Sequence, residues 1–163
     1  MKPLEAGAPA DWVEAIIRDY QDTLTGGLYE AIYALDAPQV EQLMCAQART
    51  CVAAFLNVSA LRAPLPLEDF LTAIRTAGPS QIDIRRDGDT IMWTERHRGE
   101  CVCPFVRRKV VRLAPPLCVC GAHWVRTLFD QVTHTTVDVD IVETVAHGAP
   151  DCTFRIRLTD TPS

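Results

Sequence analysis

The spacing of hydrophobic residues changes near the middle of the chain. Before Gln81 apolar residues recur every three or four positions, which is the period of an α-helix. Asp11 and Glu14 form a capping-box pattern ahead of the first apolar stripe. The pattern predicts helices at Trp12–Leu24 and Leu28–Leu35, a longer helix capped by Asp36 with apolar positions from Val40 to Phe55, and a helix through Leu67 to Ile74 closed by Gly78 and Pro79.

From Gln81 onward apolar and polar residues alternate, which is the period of a β-strand. The predicted elements are a hairpin turning at Asp87-Gly88-Asp89, a strand from Cys101 to Phe105, a helix from Gly121 to Val132, and two strands joined across Gly148–Asp151. This order predicts an α+β fold in which N-terminal helices pack on a mainly antiparallel sheet, with one long helix before the last two strands.

Composition limits the class of protein. The chain has 163 residues, 48% hydrophobic and 23% charged, which is typical of one globular domain. We expect a single domain over residues 1–163, with a helical half at 1–80 and a sheet half at 81–163. No apolar run approaches the ~18 residues of a membrane span, and the first residues lack the pattern of a signal peptide. We therefore expect a cytoplasmic protein with no membrane partner.

Charge is unevenly distributed. The net charge of −5 arises in residues 1–80, which carry five basic and ten acidic residues. Six of the sixteen cationic side chains lie between Arg96 and Arg112. The acidic total and the lack of interleaved aromatic residues argue against nucleic acid as a partner. This basic segment is either a solvated loop or a site for a small anionic ligand, with Arg107 and Arg108 gripping a carboxylate and Trp124 offering apolar surface.

Seven cysteines are unusual in a chain without a signal for export. Cys101 and Cys103 form one C-x-C pair, and Cys118 and Cys120 form a second pair fourteen residues later. In an extended segment both sulfurs of such a pair lie on one face, so two pairs would supply four thiolates. Four thiolates suit zinc, in preference to an iron–sulfur cluster, and Cys152 is a further candidate ligand.

Other interpretations of the thiols remain open. The first is that some are buried as small hydrophobic residues, as we expect for Cys45 and Cys51 on their helix. The second is a reversible disulfide between the two C-x-C pairs. The third is that Cys120 is a nucleophile, since it precedes the predicted helix at Gly121 and a helix N-terminus lowers a thiol pKa. His123 could then serve as its base or as a metal ligand.

The segment from Glu100 to Leu158 resembles known proteins. The runs ECVCPFVRR, LCVCGAHWVRTLFDQVT and VDVDIVETVAHGAPDCTFRIRL are similar to the 4-vinyl-reductase-like domains and to the related L-2-amino-thiazoline-4-carboxylic acid hydrolase-like family. The resemblance implies the ligand-binding fold of haem nitric-oxide sensors and vesicle-tethering subunits, often as homodimers. It supports Cys101, Cys103, Cys118, Cys120 and Cys152 as site positions, whereas His123 stands where a small residue is more usual.

Three functional hypotheses follow. The first is a dimeric small-molecule-binding or sensor domain with a cysteine-ligated zinc ion. The second is a hydrolase acting on a C–N or C–S bond of an amino-acid-derived ring, with Cys120 or a metal-bound water as the attacking group. The third is a metal-free thiol redox switch.

Overall fold

A computed structural model describes residues 10–77 and 81–159 of the chain. In chain order its elements are α1 Ala10–Tyr33, α2 Ala37–Val58, α3 Leu67–Ala77, β1 Gln81–Asp87, β2 Thr90–Arg96, α4 Pro104–Arg107, α5 Pro115–Thr133, β3 Val137–Glu143, a 3₁₀ turn Val145–His147, and β4 Cys152–Leu158. The four strands form one antiparallel sheet in the order β1-β2-β4-β3. The predicted α+β architecture is confirmed.

The inner face of the sheet is covered by α3 and α5. Alternation along the central strands directs Trp93 of β2 and Phe154 of β4 toward the helices, and these two residues are paired across the strands. Phe70 of α3 and Phe129 of α5 pack edge-to-face with ring centroids 5.0 Å apart, and both contact Trp93. All three of these aromatic side chains are fully buried, so they form the centre of the core.

The two helices predicted at the start of the chain are one continuous helix, α1. Gly26 and Gly27, which separate the two predicted helices, lie inside it. Gly26 faces the segment before α5, where an added Cβ would lie 2.7 Å from the carbonyl oxygen of Val110. The glycine therefore permits close packing and does not end the helix. The Asp11 side chain and the predicted closure at Gly78 and Pro79 lie outside the described residues.

The predicted cap of α2 is confirmed. The backbone N–H of Gln39 donates to Asp36 Oδ1 at 2.9 Å, and the Gln39 side chain reaches back to the Asp36 backbone. This reciprocal arrangement satisfies two of the N–H groups that a helix start leaves without partners.

Two predictions in the sheet half are wrong. Cys101 to Phe105 is not a strand, because it forms a connection that enters the short helix α4. Helix α5 begins at Pro115 and not at Gly121. Pro115 and Pro116 occupy its first turn, where a missing N–H costs no hydrogen bond and the fixed backbone angle of proline suits a helix. The second C-x-C pair is therefore helical.

Across the described ranges, 10–77 and 81–159, none of the helices combines the length and the apolar character needed to span a membrane.

The two adjacent glycines of α1 give a matched test of this packing. We expect Gly26→Ala to lower the free energy of unfolding by about 1–2 kcal/mol, because its new methyl group meets the Val110 backbone. We expect Gly27→Ala to raise it by about 0.5–1 kcal/mol, since nothing lies within 4 Å and alanine favours the helix. Urea unfolding of both variants measures the difference. Equal effects would contradict the close approach.

Candidate functional site

The second C-x-C pair does not present its thiols on one face. Cys118 and Cys120 lie in α5, where side chains two positions apart point about 200° away from each other around the helix axis. The extended geometry assumed from the sequence is therefore wrong for this pair. Each of its cysteines instead approaches a different part of the protein.

Cys118 lies with Cys101 and Cys152 in what we call the inner thiol group. Burial raises the pKa of the Cys152 thiol to about 12, and the charges of Cys118 and Cys101 act in the same direction. Burial likewise raises the pKa of Cys101, with smaller contributions from the charges of Cys103, Cys118 and Glu95. Each of these thiols is therefore within electrostatic range of the other two.

Cys120 lies with Cys51 and Cys103 in the outer thiol group. Burial raises the pKa of Cys120 to about 12, and the charges of Cys51 and Cys103 raise it further. Cys103 and Cys120 also pack against the small apolar cluster around Tyr29. Cys51 was expected only to pack within its helix, so its position beside two thiols of the C-x-C pairs is a finding of the structure.

The start of α5 removes the helix-terminus argument for a thiolate at Cys120. The sequence suggested that Cys120 precedes a helix, yet α5 already begins at Pro115. The dominant influence is burial, which favours the neutral thiol. A protonated thiol is a weak nucleophile, so the geometry does not favour Cys120 as the attacking group of a hydrolase.

A buried acid–imidazole pair borders the inner thiol group. His97 Nε2 lies 3.1 Å from Glu95 Oε2, and the Trp93 indole N–H donates to Glu95 Oε1 at 3.2 Å. Glu95 is the cross-strand partner of Cys152, and its charge contributes to the raised pKa of both Cys152 and Cys101. The Glu95–His97 pair and the inner thiol group therefore lie at the same end of the inner face of the sheet.

His97 lies in the connection that follows β2, yet it is buried. Its side chain is 1% exposed. Its Nδ1 atom is buried and has no hydrogen-bond partner among the described residues. The alternation of Ile91, Trp93 and Glu95 on the inner face of β2 continues to His97, so this was the sequence signal for its burial.

The predicted four-cysteine metal site is not assembled. Within residues 10–77 and 81–159, no three His, Cys, Asp or Glu side chains are grouped closely enough to hold a metal ion. The second C-x-C pair is helical, so its two thiols point to different sides of α5. Zinc binding itself stays a prediction.

The other predicted site residues lie apart from the thiols or have structural partners. His123 is buried, with Nε2 2.7 Å from Glu41 Oε1 of α2. Arg108 binds the Asp22 carboxylate of α1 at 2.8 Å, and Arg107 is exposed. Trp124 packs edge-to-face on Phe55 of α2 with ring centroids 5.4 Å apart. Trp124 and Arg108 thus hold helices and connections together.

Comparisons with known proteins bear on the fold. No family model matches the chain, and no curated protein matches it in sequence. Among solved structures it is similar to a trafficking protein particle complex subunit 3 from Naegleria fowleri, covalently bound to palmitic acid, with a TM-score of 0.52 and 14% identity over 92% of this chain and 90% of that chain. At this identity the likeness establishes the fold alone. The predicted likeness to the fold of vesicle-tethering subunits is confirmed.

A vinyl-4-reductase family protein from Methanocaldococcus jannaschii is also a structural neighbour. The match covers 98% of this chain and 85% of that chain, with a TM-score of 0.39 and 11% identity. Membership of that family, or of the related hydrolase-like family, stays a prediction from the sequence.

The raised pKa of Cys120 predicts a loss of stability at alkaline pH. The unfolded thiol ionises near pH 8.5, whereas the folded thiol remains neutral until about pH 12, so its contribution falls as pH rises above about 8.5. We expect Cys120→Ala to reduce the loss of stability between pH 8 and pH 10 by about 2 kcal/mol. Urea unfolding at both pH values measures this. Val119→Ala, a neighbour that does not titrate, should keep the wild-type pH dependence; an unchanged dependence in Cys120→Ala would contradict the assignment.

Proposed function

We propose that this protein is a small-ligand-binding domain in which the inner thiol group and His97 hold a metal ion, with zinc the ion that these ligands favour. The observation that carries the proposal is the buried Nδ1 of His97, which has no hydrogen-bond partner among the described residues. A buried polar atom without a partner costs about 1–3 kcal/mol, and such atoms are rare in native proteins. A bound ion would give this nitrogen a partner.

The surroundings of His97 support the same assignment. Metal-ligating histidines commonly donate their second ring N–H to a carboxylate, which fixes the tautomer and the ring orientation. Glu95 offers such a carboxylate to Nε2, and Trp93 holds Glu95 in turn. With its proton on Nε2, the imidazole keeps a lone pair on Nδ1 that can bind an ion. Cys101, Cys118 and Cys152 would complete a set of three thiolates and one imidazole, a common set for structural zinc.

Binding requires a local movement, because these side chains do not form a ligand group as they stand. Cys101 lies in the connection between β2 and α4, outside helix and strand, so it can approach His97 without disrupting an element. A positive ion would also favour the thiolates against the burial that now raises the pKa of Cys101 and Cys152. The ion would thereby stabilise one end of the sheet.

Metal analysis tests this proposal. We expect protein purified without added metal to contain about one zinc ion per chain, and we expect Cys118→Ser and His97→Gln to lose it. Cys120→Ser is the matched control, since its thiol lies in the outer group and should not affect metal content. Mass spectrometry of the metal in each folded variant gives the answer. A metal-free wild-type chain with all thiols free would contradict the proposal.

A metal-free redox switch is the second candidate, and the grouping of the thiols favours it. In this alternative peroxide oxidises Cys101 and Cys118 to a disulfide while being reduced to two waters, and a thiol reductant restores both. Peptide mapping without reduction would identify the bond. A Cys101–Cys118 disulfide in a protein that contains no metal would replace the zinc proposal with this one.

The exposed apolar side chains of α1 favour a second copy of the chain as the partner. Every side chain from residue 12 to residue 21 is exposed. Seven large apolar side chains of α1 are exposed to solvent: Trp12, Val13, Ile16, Ile17, Tyr20, Leu24 and Leu28. Their spacing gathers them on one side of the helix. We infer that this face packs against a second copy of the chain, and the similar Naegleria protein is itself a subunit of a complex.

Paired substitutions on α1 test the dimer. Ile17 lies within the apolar stripe, whereas Arg18 lies toward the opposite side of the helix. We expect Ile17→Glu to weaken dimerisation at least tenfold, because it introduces a charge into the apolar contact, and Arg18→Glu to leave it nearly unchanged. Light scattering coupled to size-exclusion chromatography measures the mass. A monomeric wild-type protein at high micromolar concentration would contradict the dimer.

A further inference from the structure

A surface cleft lies between α5, α2 and the sheet edge formed by β3. It consists of two adjoining cavities of about 530 and 260 Å³, and both are lined by His123 and Arg126 of α5. The larger volume is within the range of pockets that hold small organic molecules. The thiol groups and the residues predicted to bind a ligand, Arg107, Arg108 and Trp124, are not part of its lining.

Arg49 of α2 lines only the smaller cavity, whereas Arg126 is the cation that lines both. It is exposed, and no carboxylate lies within 4.0 Å of it among the residues that the structure describes. The other arginine of the larger cavity, Arg155, is 3.3 Å from Asp140, which also binds Arg157 at 2.6 Å, so its guanidinium is already engaged. A planar guanidinium with free N–H groups is suited to bind a carboxylate through two parallel hydrogen bonds.

The remaining walls combine an apolar surface with a fixed polar pair. Val119 and Ala122 of α5 face Val139 and Ile141 of β3 across the larger cavity. On the α2 side Glu41 accepts a hydrogen bond from His123 or, if the imidazole is charged, forms an ion pair with it at 2.7 Å. These walls fit a molecule with one anionic end and an apolar body.

We propose that this cleft binds a small organic carboxylate, with the carboxylate on Arg126 and the apolar body between α5 and β3. His123, held by Glu41, lies beside Arg126 and limits the orientation of the ligand. The site is independent of the thiol proposal, because none of the six cysteines of the thiol groups lines the cleft. A domain with both sites would bind a metal ion and an organic anion at separate places.

Titration with a matched pair of probes tests the proposal. Phenylacetate has an apolar ring and a carboxylate, and phenylacetamide has the same shape without the charge. We expect phenylacetate to shift backbone amide NMR signals of cleft residues in α5 and β3 with millimolar affinity, and phenylacetamide to bind at least tenfold more weakly. Inorganic phosphate serves as a third probe for an anion without an apolar body.

Two arginine substitutions distinguish the cleft from nonspecific attraction. Arg126→Gln should weaken phenylacetate binding at least tenfold, since it removes the guanidinium and keeps a side chain of similar length. Arg85→Gln is the control, because it removes the same formal charge from a largely exposed arginine, 3.6 Å from Asp83, on β1 at the opposite edge of the sheet. It should leave the affinity unchanged. Unaltered spectra of both free variants away from the substitution would establish that they are folded.

Three results would overturn the proposal. The first is the absence of shifts at cleft residues in saturating phenylacetate. The second is equal binding of phenylacetamide or phosphate, which would mean that no carboxylate with an apolar body is selected. The third is equal weakening by Arg126→Gln and Arg85→Gln, which would indicate a general effect of charge.

Discussion

The structure depends on the packing of α5 between the sheet and α2. On one side of α5 Val125, Leu128 and Phe129 are fully buried against the sheet and α3. Gly121 lets the helix approach the sheet closely, since an added Cβ would lie 3.2 Å from the Phe154 ring. Burial of such side chains contributes roughly 1.5–3 kcal/mol each. The position of α5 is therefore fixed by the larger of the two buried apolar clusters among the described residues.

This constraint also decides what the cysteines can do. Because α5 is helical from Pro115, Cys118 is directed to the end of the sheet that carries Cys152, whereas Cys120 is directed to the cluster around Tyr29. In the connection before α4, the charge of Cys118 acts on Cys101 and that of Cys103 acts on Cys120, while Cys103 also acts on Cys101. A pattern that looks like two ligand pairs in the sequence is thus two neighbouring thiol groups that meet at Cys101 and Cys103.

Much of the architecture could be predicted from the sequence. The helical and alternating periods, the Asp36 cap and the final hairpin each have a local cause, so they are visible in a single stretch of chain. The start of α5 was missed because Pro115 and Pro116 suit either a loop or a first helical turn, and only tertiary packing distinguishes the two. The grouping of Cys51 with Cys103 and Cys120 was inaccessible because it joins residues distant in sequence.

The role of the charged residues was likewise only partly predictable from the sequence. The excess of acid in the first half and the basic segment near Arg107 were evident from counting, and they suggested an anion site. In the fold the basic segment and the acidic helix are partners. Arg112 forms two hydrogen bonds with Glu30 of α1 at 3.1 Å, and Arg108 binds Asp22, about two helical turns earlier in α1. These ion pairs attach the segment before α5 to the acidic helix, beside the close approach at Gly26. Counting locates charge along a chain, but only the fold separates cations that have carboxylate partners, such as Arg108 and Arg112, from Arg126, which has none within 4.0 Å in the part of the chain that the structure describes.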